Sequence, residues 1–215
     1  MSCSFISLAE VDENVVVKRS WGGLLLQPGI SAAIASAAVA FGVMSLIMTA
    51  TPVSMSEIQS YPLDDTKTVI QSHIMAMFLP SLFAPILFRL FSLLSMLLCG
   101  LVLSAAVSIA IWDQSYWGYW TALVCLGAGW NFLFVAGTTL LSQQYSKQDS
   151  FTVQAMNDAT VFSTQAIMAL SAGWIVFNFG WFALNLLAVP LLILALLLIA
   201  RWYFFEENIK KAAYE

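Results

Sequence analysis

Long apolar runs separated by short polar breaks set the pattern of this chain. A helix needs about 20 apolar residues to cross a hydrocarbon core about 30 Å thick. Stretches of that kind cover residues 29–50, 69–88, 93–112, 119–141, 153–177 and 181–204. The pattern predicts an all-α membrane protein with six transmembrane helices. Residues 1–28 form an N-terminal tail and amphipathic lead-in, residues 29–205 the membrane domain, and residues 206–215 a charged tail. The longest polar break, residues 51–68, reads as a loop. The others, 89–92, 113–118, 142–152 and 178–180, are turns.

Polar and small positions inside these runs have a helical period. In the first span Ser31, Ala35, Ala38, Gly42, Ser45 and Thr49 make a ridge of small residues, which lets two membrane helices approach closely. The second contains Pro80 and Pro85, which kink a helix and free backbone carbonyls. In the fourth, Gly127, Asn131, Thr138 and Ser142 fall within about 60° of one another at 100° per residue. A polar stripe in hydrocarbon needs partners or a water-lined cavity, so something faces that helix. The fifth is the most polar, with Asn157, Thr164 and Ser171 seven residues apart and Asp158 and Gln165 beside them.

Composition reinforces the membrane assignment. The chain is 60% hydrophobic and 9% charged, with mean hydropathy +0.85, whereas soluble domains carry roughly 25% charged residues. Its eight basic residues are scattered, so nucleic acid is not an expected partner. Cys3, Cys99 and Cys125 lie far apart and lack metal-ligand spacing. Residues 1–20 lack the basic and apolar regions of a cleavable signal. Six spans put both termini on one side. If that side is the cytoplasm, Lys18, Arg19, Arg89, Lys147, Arg201, Lys210 and Lys211 lie inside and Lys67 outside, as the positive-inside rule requires. Trp112, Trp117, Trp120 and Trp181 then form an outer aromatic belt, with Trp21 and Trp202 on the inner one.

The chemistry-bearing residues point to binding rather than catalysis. The chain has one histidine and no nucleophile-elbow, zincin or P-loop motif, and nothing calls for a cofactor or metal. His73 is either a proton-coupling or solute-binding group, or an interfacial side chain touching water and a loop. Asp158 either pairs with Arg89 in a cytoplasmic gate or relays protons, or is a hydrated first-turn acid favoured by the helix dipole. Asn131 lies near mid-bilayer, where it binds solute or another helix. Trp130 and Trp174 either stack on a solute or fill helix crossings, and Gln165 has the same ambiguity as Asn131.

Four stretches carry a resemblance to the major facilitator superfamily of transporters, in its bacterial branch. Gln27–Pro28 leads into a span ending Met48–Thr49–Ala50–Thr51–Pro52, and HIMAMFLP (73–80) opens the second span. GWNFLFVAGTTLL (129–141) is the most specific, and QAMND (154–158) opens the fifth span after the loop carrying Tyr145. The resemblance implies the C-terminal six-helix half of a twelve-helix fold, built as two inverted three-helix repeats. It further implies a cavity lined by the first, second, fourth and fifth helices. Secondary transport of a small-molecule solute by alternating access would follow, driven by an ion gradient, in a bacterial inner membrane. Asn131, Trp130, Gln165 and His73 would contact solute, with Asp158 and Arg89 at the cytoplasmic gate. Two departures stand out: the turn is Arg89–Leu90–Phe91–Ser92, without the family's Gly and further basic residues, and the first six-helix half is missing. The expected partners are the lipid bilayer and a complementary half or second copy. An inactive split or truncated product and a subunit of a multi-component importer are the other readings.

Overall fold

The computed structural model describes residues 21–212. The expected N-terminal tail with Cys3, Lys18 and Arg19, and residues 213–215, lie outside the described residues. The helices are α1 (Trp21–Leu25), α2 (Pro28–Pro52), α3 (Leu63–Phe78), α4 (Ala84–Leu90), α5 (Leu93–Ala105), α6 (Ile109–Trp112), α7 (Tyr116–Gln143) and α8 (Ser150–Ala212). The described residues contain no strand, and the chain is an all-α, multi-pass membrane protein.

Four stretches are long and apolar enough to cross a bilayer: Pro28–Ile58, Leu63–Leu90, Tyr116–Gln143 and Ser150–Ala212. The last has 63 residues, about 95 Å if straight, several times the hydrocarbon thickness. It is interrupted at Gly180, whose φ of 78° and ψ of 174° lie where only glycine sits without strain. Residues 150–179 and 181–212 are therefore two rods. The apolar stretch Leu93–Ser108 is shorter than the other four.

Side-chain contacts give the direction of each rod. Ser54 near the end of α2 hydrogen-bonds Tyr119 near the start of α7 at 2.7 Å, so these two run antiparallel. The rings of Tyr119 and Trp181 are 5.2 Å apart, whereas Arg201 reaches the Leu26 carbonyl at 2.8 Å. Residues 181–212 thus run back towards the start of α2. The two central helices, α2 and α7, pack against each other; α2 is flanked by α8, and α7 by α3 and α5.

Several boundaries differ from the sequence expectation. The presumed loop 51–68 is mostly helical. α2 continues as a π-helical stretch, Val53–Ile58, and α3 begins at Leu63. The reason is a helix start at Pro62, with Asp64 and Asp65 in the first turn where the dipole favours acids. The prolines do break the second span: Leu79–Phe83 is a 3-10 stretch between α3 and α4. Helix also continues through the charged tail to Ala212, where Glu206–Lys210 and Glu207–Lys211 are i, i+4 pairs. Trp112 and Trp117 are exposed as expected of a belt, but Trp181 (5% exposed) and Trp202 (7%) are buried in the core. Their neighbours explain this: Tyr119 packs on Trp181, and the Trp202 indole N–H donates to Glu206 at 2.7 Å.

Candidate functional site

α7 holds the polar groups that the sequence singles out, and its glycines determine what it touches. A Cβ on Gly127 would lie 2.5 Å from the His73 carbonyl of α3. One on Gly129 would lie 2.7 Å from the Ser104 backbone nitrogen of α5, and one on Gly137 would lie 3.2 Å from the Ala33 carbonyl of α2. Three glycines on one helix thus admit three different neighbours, each to near backbone contact.

Gly127 and Asn131, one turn apart, both face the second span. The Asn131 amide donates to the Met77 carbonyl at 2.6 Å and to the Ser81 hydroxyl at 2.5 Å. Those acceptors sit where α3 gives way to the 3-10 stretch, so Asn131 satisfies a carbonyl at the proline break. His73 is fully buried between α3 and α7, ten residues into α3. Its Nδ1 lies 2.7 Å from the Leu123 carbonyl. A carbonyl only accepts, so Nδ1 carries the hydrogen and Nε2, buried and without a partner, presents a lone pair. The rest of the α7 stripe has local partners: the Thr138 hydroxyl donates to Phe134 O at 2.8 Å, and Ser142 is exposed.

Trp130 is 6% exposed and stacks on Phe134, with centroids 5.2 Å apart and planes 15° apart. Phe41 of α2 meets both edge-on, at 5.1 and 5.3 Å. Phe78 of α3 and Phe162 of α8 extend the array to either side, at 6.3 Å from Trp130 and 6.4 Å from Phe41, and are 59% and 60% exposed. Composition gave no hint of this five-ring array, because its members come from four helices. Trp174 lies apart from it, exposed, against Phe179.

Other sequence candidates separate. The small ridge of α2 packs on residues 150–179: Ala38 clusters with Val161, and Gly42 faces Thr164 and Met168. Gln165, half-buried, lies beside that contact. Asp158 is exposed and accepts from the Asn157 amide at 3.1 Å. Arg89 is exposed at the end of α4. The ion pairs among the described residues are the two in the C-terminal helix, so Asp158 and Arg89 are not joined.

Comparison with known proteins places this arrangement in a family. The chain is 31% identical over 181 residues to the riboflavin transporter RfnT of Brucella anthropi, covering 83% of this chain and 45% of that protein. It is 30% identical over 172 residues to the MFS-type transporter YddS of Bacillus subtilis, covering 75% of this chain and 37% of YddS. To YdeG of the same organism, also named as an MFS-type transporter, it is 32% identical over 160 residues, covering 73% and 36%. The chain thus spans less than half the length of these curated relatives. No family model and no solved structure matches it. By these sequence similarities the chain belongs to the major facilitator superfamily of transporters.

Proposed function

We propose that the chain is the C-terminal six-helix half of a secondary transporter that moves a small, planar aromatic solute across the bacterial inner membrane. The solute site lies between this half and a complementary six-helix bundle, which rock against each other under an ion gradient. Both termini are cytoplasmic, and Leu93–Ser108 and the two parts of α8 each cross the bilayer. The observation that carries the reading is the five-ring array. Its members come from the first, second, fourth and fifth spans, the set that the family resemblance assigns to the cavity. The name of the Brucella anthropi relative points the same way, since riboflavin has a flat ring system that stacks on aromatic faces. Trp130 and the neighbouring rings receive the solute, Asn131 and Gln165 supply polar contacts, and His73 Nε2 is the acceptor available for coupling. Asp158 and Arg89 act at the cytoplasmic gate, meeting when the halves close.

The test uses the assembly purified from its native membrane through a tag on this chain, reconstituted in liposomes. Riboflavin accumulation under an imposed proton gradient is expected, and Asn131→Leu should abolish it while leaving membrane insertion intact. Unchanged uptake kinetics in that variant would remove Asn131 from the site. Purification of a lone chain that transports unaided would refute the two-half arrangement.

A further inference from the structure

Asn131 is 2% exposed and sits where α7 crosses the proline break of the second span. Both hydrogens on its Nδ2 are committed, one to the Met77 carbonyl at 2.6 Å and the other to the Ser81 hydroxyl at 2.5 Å. A carbonyl only accepts, so the amide cannot turn around without setting its own oxygen against the Met77 oxygen. Its orientation is therefore fixed, and it has no hydrogen left to offer. The free end is Oδ1. This oxygen has no partner among the described residues and, unlike the buried oxygens of Asn157 and Asn185, it keeps accessible surface.

The ring array lies at the same crossing. Trp130 and Asn131 are consecutive on α7, and Met77 and Phe78 are consecutive at the end of α3. The bond from Asn131 to Met77 and the edge contact of Phe78 with Trp130, centroids 6.3 Å apart, are thus neighbours. Phe78 is 59% exposed and Ser81 is exposed, so the crossing opens outward beside the rings.

From this we infer that Asn131 selects solutes with a hydrogen-bond donor on the edge of the ring system, the N–H of a lactam or imide. The inference rests on the proposed function and adds to it the polarity of the contact: Asn131 accepts and does not donate. A ring lying on Trp130 and Phe78 brings its edge to Oδ1. An edge that turns an acceptor to this point meets a second acceptor, because Met77 and Ser81 hold the amide hydrogens. An edge with no polar atom leaves Oδ1 without a donor once the second bundle covers it, and a buried unsatisfied acceptor is unfavourable.

Two probes test this on the assembly purified through a tag on this chain, with binding read by quenching of flavin fluorescence. Riboflavin has one ring N–H, at N3; 3-methylriboflavin keeps the rings and the side chain but lacks that donor. The native assembly is expected to bind the methylated probe about tenfold more weakly, as for the loss of one hydrogen bond. Asn131→Leu should lower riboflavin binding to the level of the methylated probe and so erase the difference. A difference that persists in Asn131→Leu would trace to the bulk of the methyl group, and equal binding of the two probes by the native assembly would leave Asn131 a purely structural role. Either result overturns the inference and leaves the proposed function standing, whereas native assembly that binds neither probe would overturn both. Should Asn131→Leu fail to fold, proton exchange at N3 of bound ¹⁵N-labelled riboflavin decides on the native assembly. Exchange at least about tenfold slower than in the free molecule is expected, and exchange as fast as in the free molecule would overturn the inference.

Discussion

α7 and residues 150–179 both carry polar side chains along apolar helices, and the structure uses them in opposite ways. α7 is enclosed: its glycines admit α2, α3 and α5, and Tyr119 and Asn131 bond across to neighbouring helices. Residues 150–179 are committed on one side only, where Ala38 and Gly42 of α2 meet Val161, Thr164 and Met168. Asp158, Phe162 and Ser163 remain exposed, and a Cβ on Gly173 would meet nothing within 4 Å. Polarity inside a membrane helix therefore marks two separate things. Where polar atoms are partnered across helices it holds the bundle together; where they are open it provides a surface for something else.

Paired glycine substitutions give the largest contrast. Gly129→Ala drives a methyl group against the Ser104 backbone, which cannot swing aside, and should destabilise by about 2 kcal/mol or more. Gly173→Ala should be neutral or stabilising by up to about 1 kcal/mol, since it adds helix propensity in open space. Unfolding in a mild detergent measures both, and similar losses at the two sites would erase the distinction. Next comes Asn131→Leu, which strips the Met77 carbonyl and Ser81 hydroxyl of their donor and should destabilise by about 1–2 kcal/mol. Asp158→Asn should change stability by less than about 0.5 kcal/mol, as expected of an exposed side chain, while altering transport by the assembly. A large stability loss there would place Asp158 in the packed class.

The smallest effect concerns the turn before α7. The Ser115 hydroxyl and then its backbone N–H hold the Asp113 carboxylate below its ordinary pKa. Because the folded value is depressed, the contribution is complete above the unfolded pKa of about 3.9. It fades as pH falls through the folded value. Carboxylate titration followed by infrared spectroscopy should find Asp113 protonating at lower pH in the native chain than in Ser115→Ala, which loses the hydroxyl's share of the effect.

Much of the fold was legible because its signals are local. Pro80 and Pro85 announced the break in the second span, and the small ridge of α2 announced a close crossing. The stripe on α7 announced a partner, though not which one. Pro62, Asp64 and Asp65 also carried a helix-start signal, but the polar stretch around them masked it. What could not be read is what depends on neighbours distant in sequence. A tryptophan at a helix end reads as a belt residue, and only the packing of Tyr119 on Trp181 puts it inside. His73 is buried because Gly127 brings α7 up against α3. The ring array takes one or two members from each of four helices, so no single stretch displays it.

The most direct test of the account is the sidedness of the long C-terminal helix, since the turn at Gly180 brings residues 181–212 back to flank the central pair. Lys147→Cys and Lys211→Cys, each in a background lacking Cys3, Cys99 and Cys125, can be labelled in intact cells and in inverted vesicles with a membrane-impermeant thiol reagent. The account predicts that both label only from the cytoplasmic face. Labelling from opposite faces would show that the 63-residue helix crosses once, contradicting both the six-rod bundle and the site built on it.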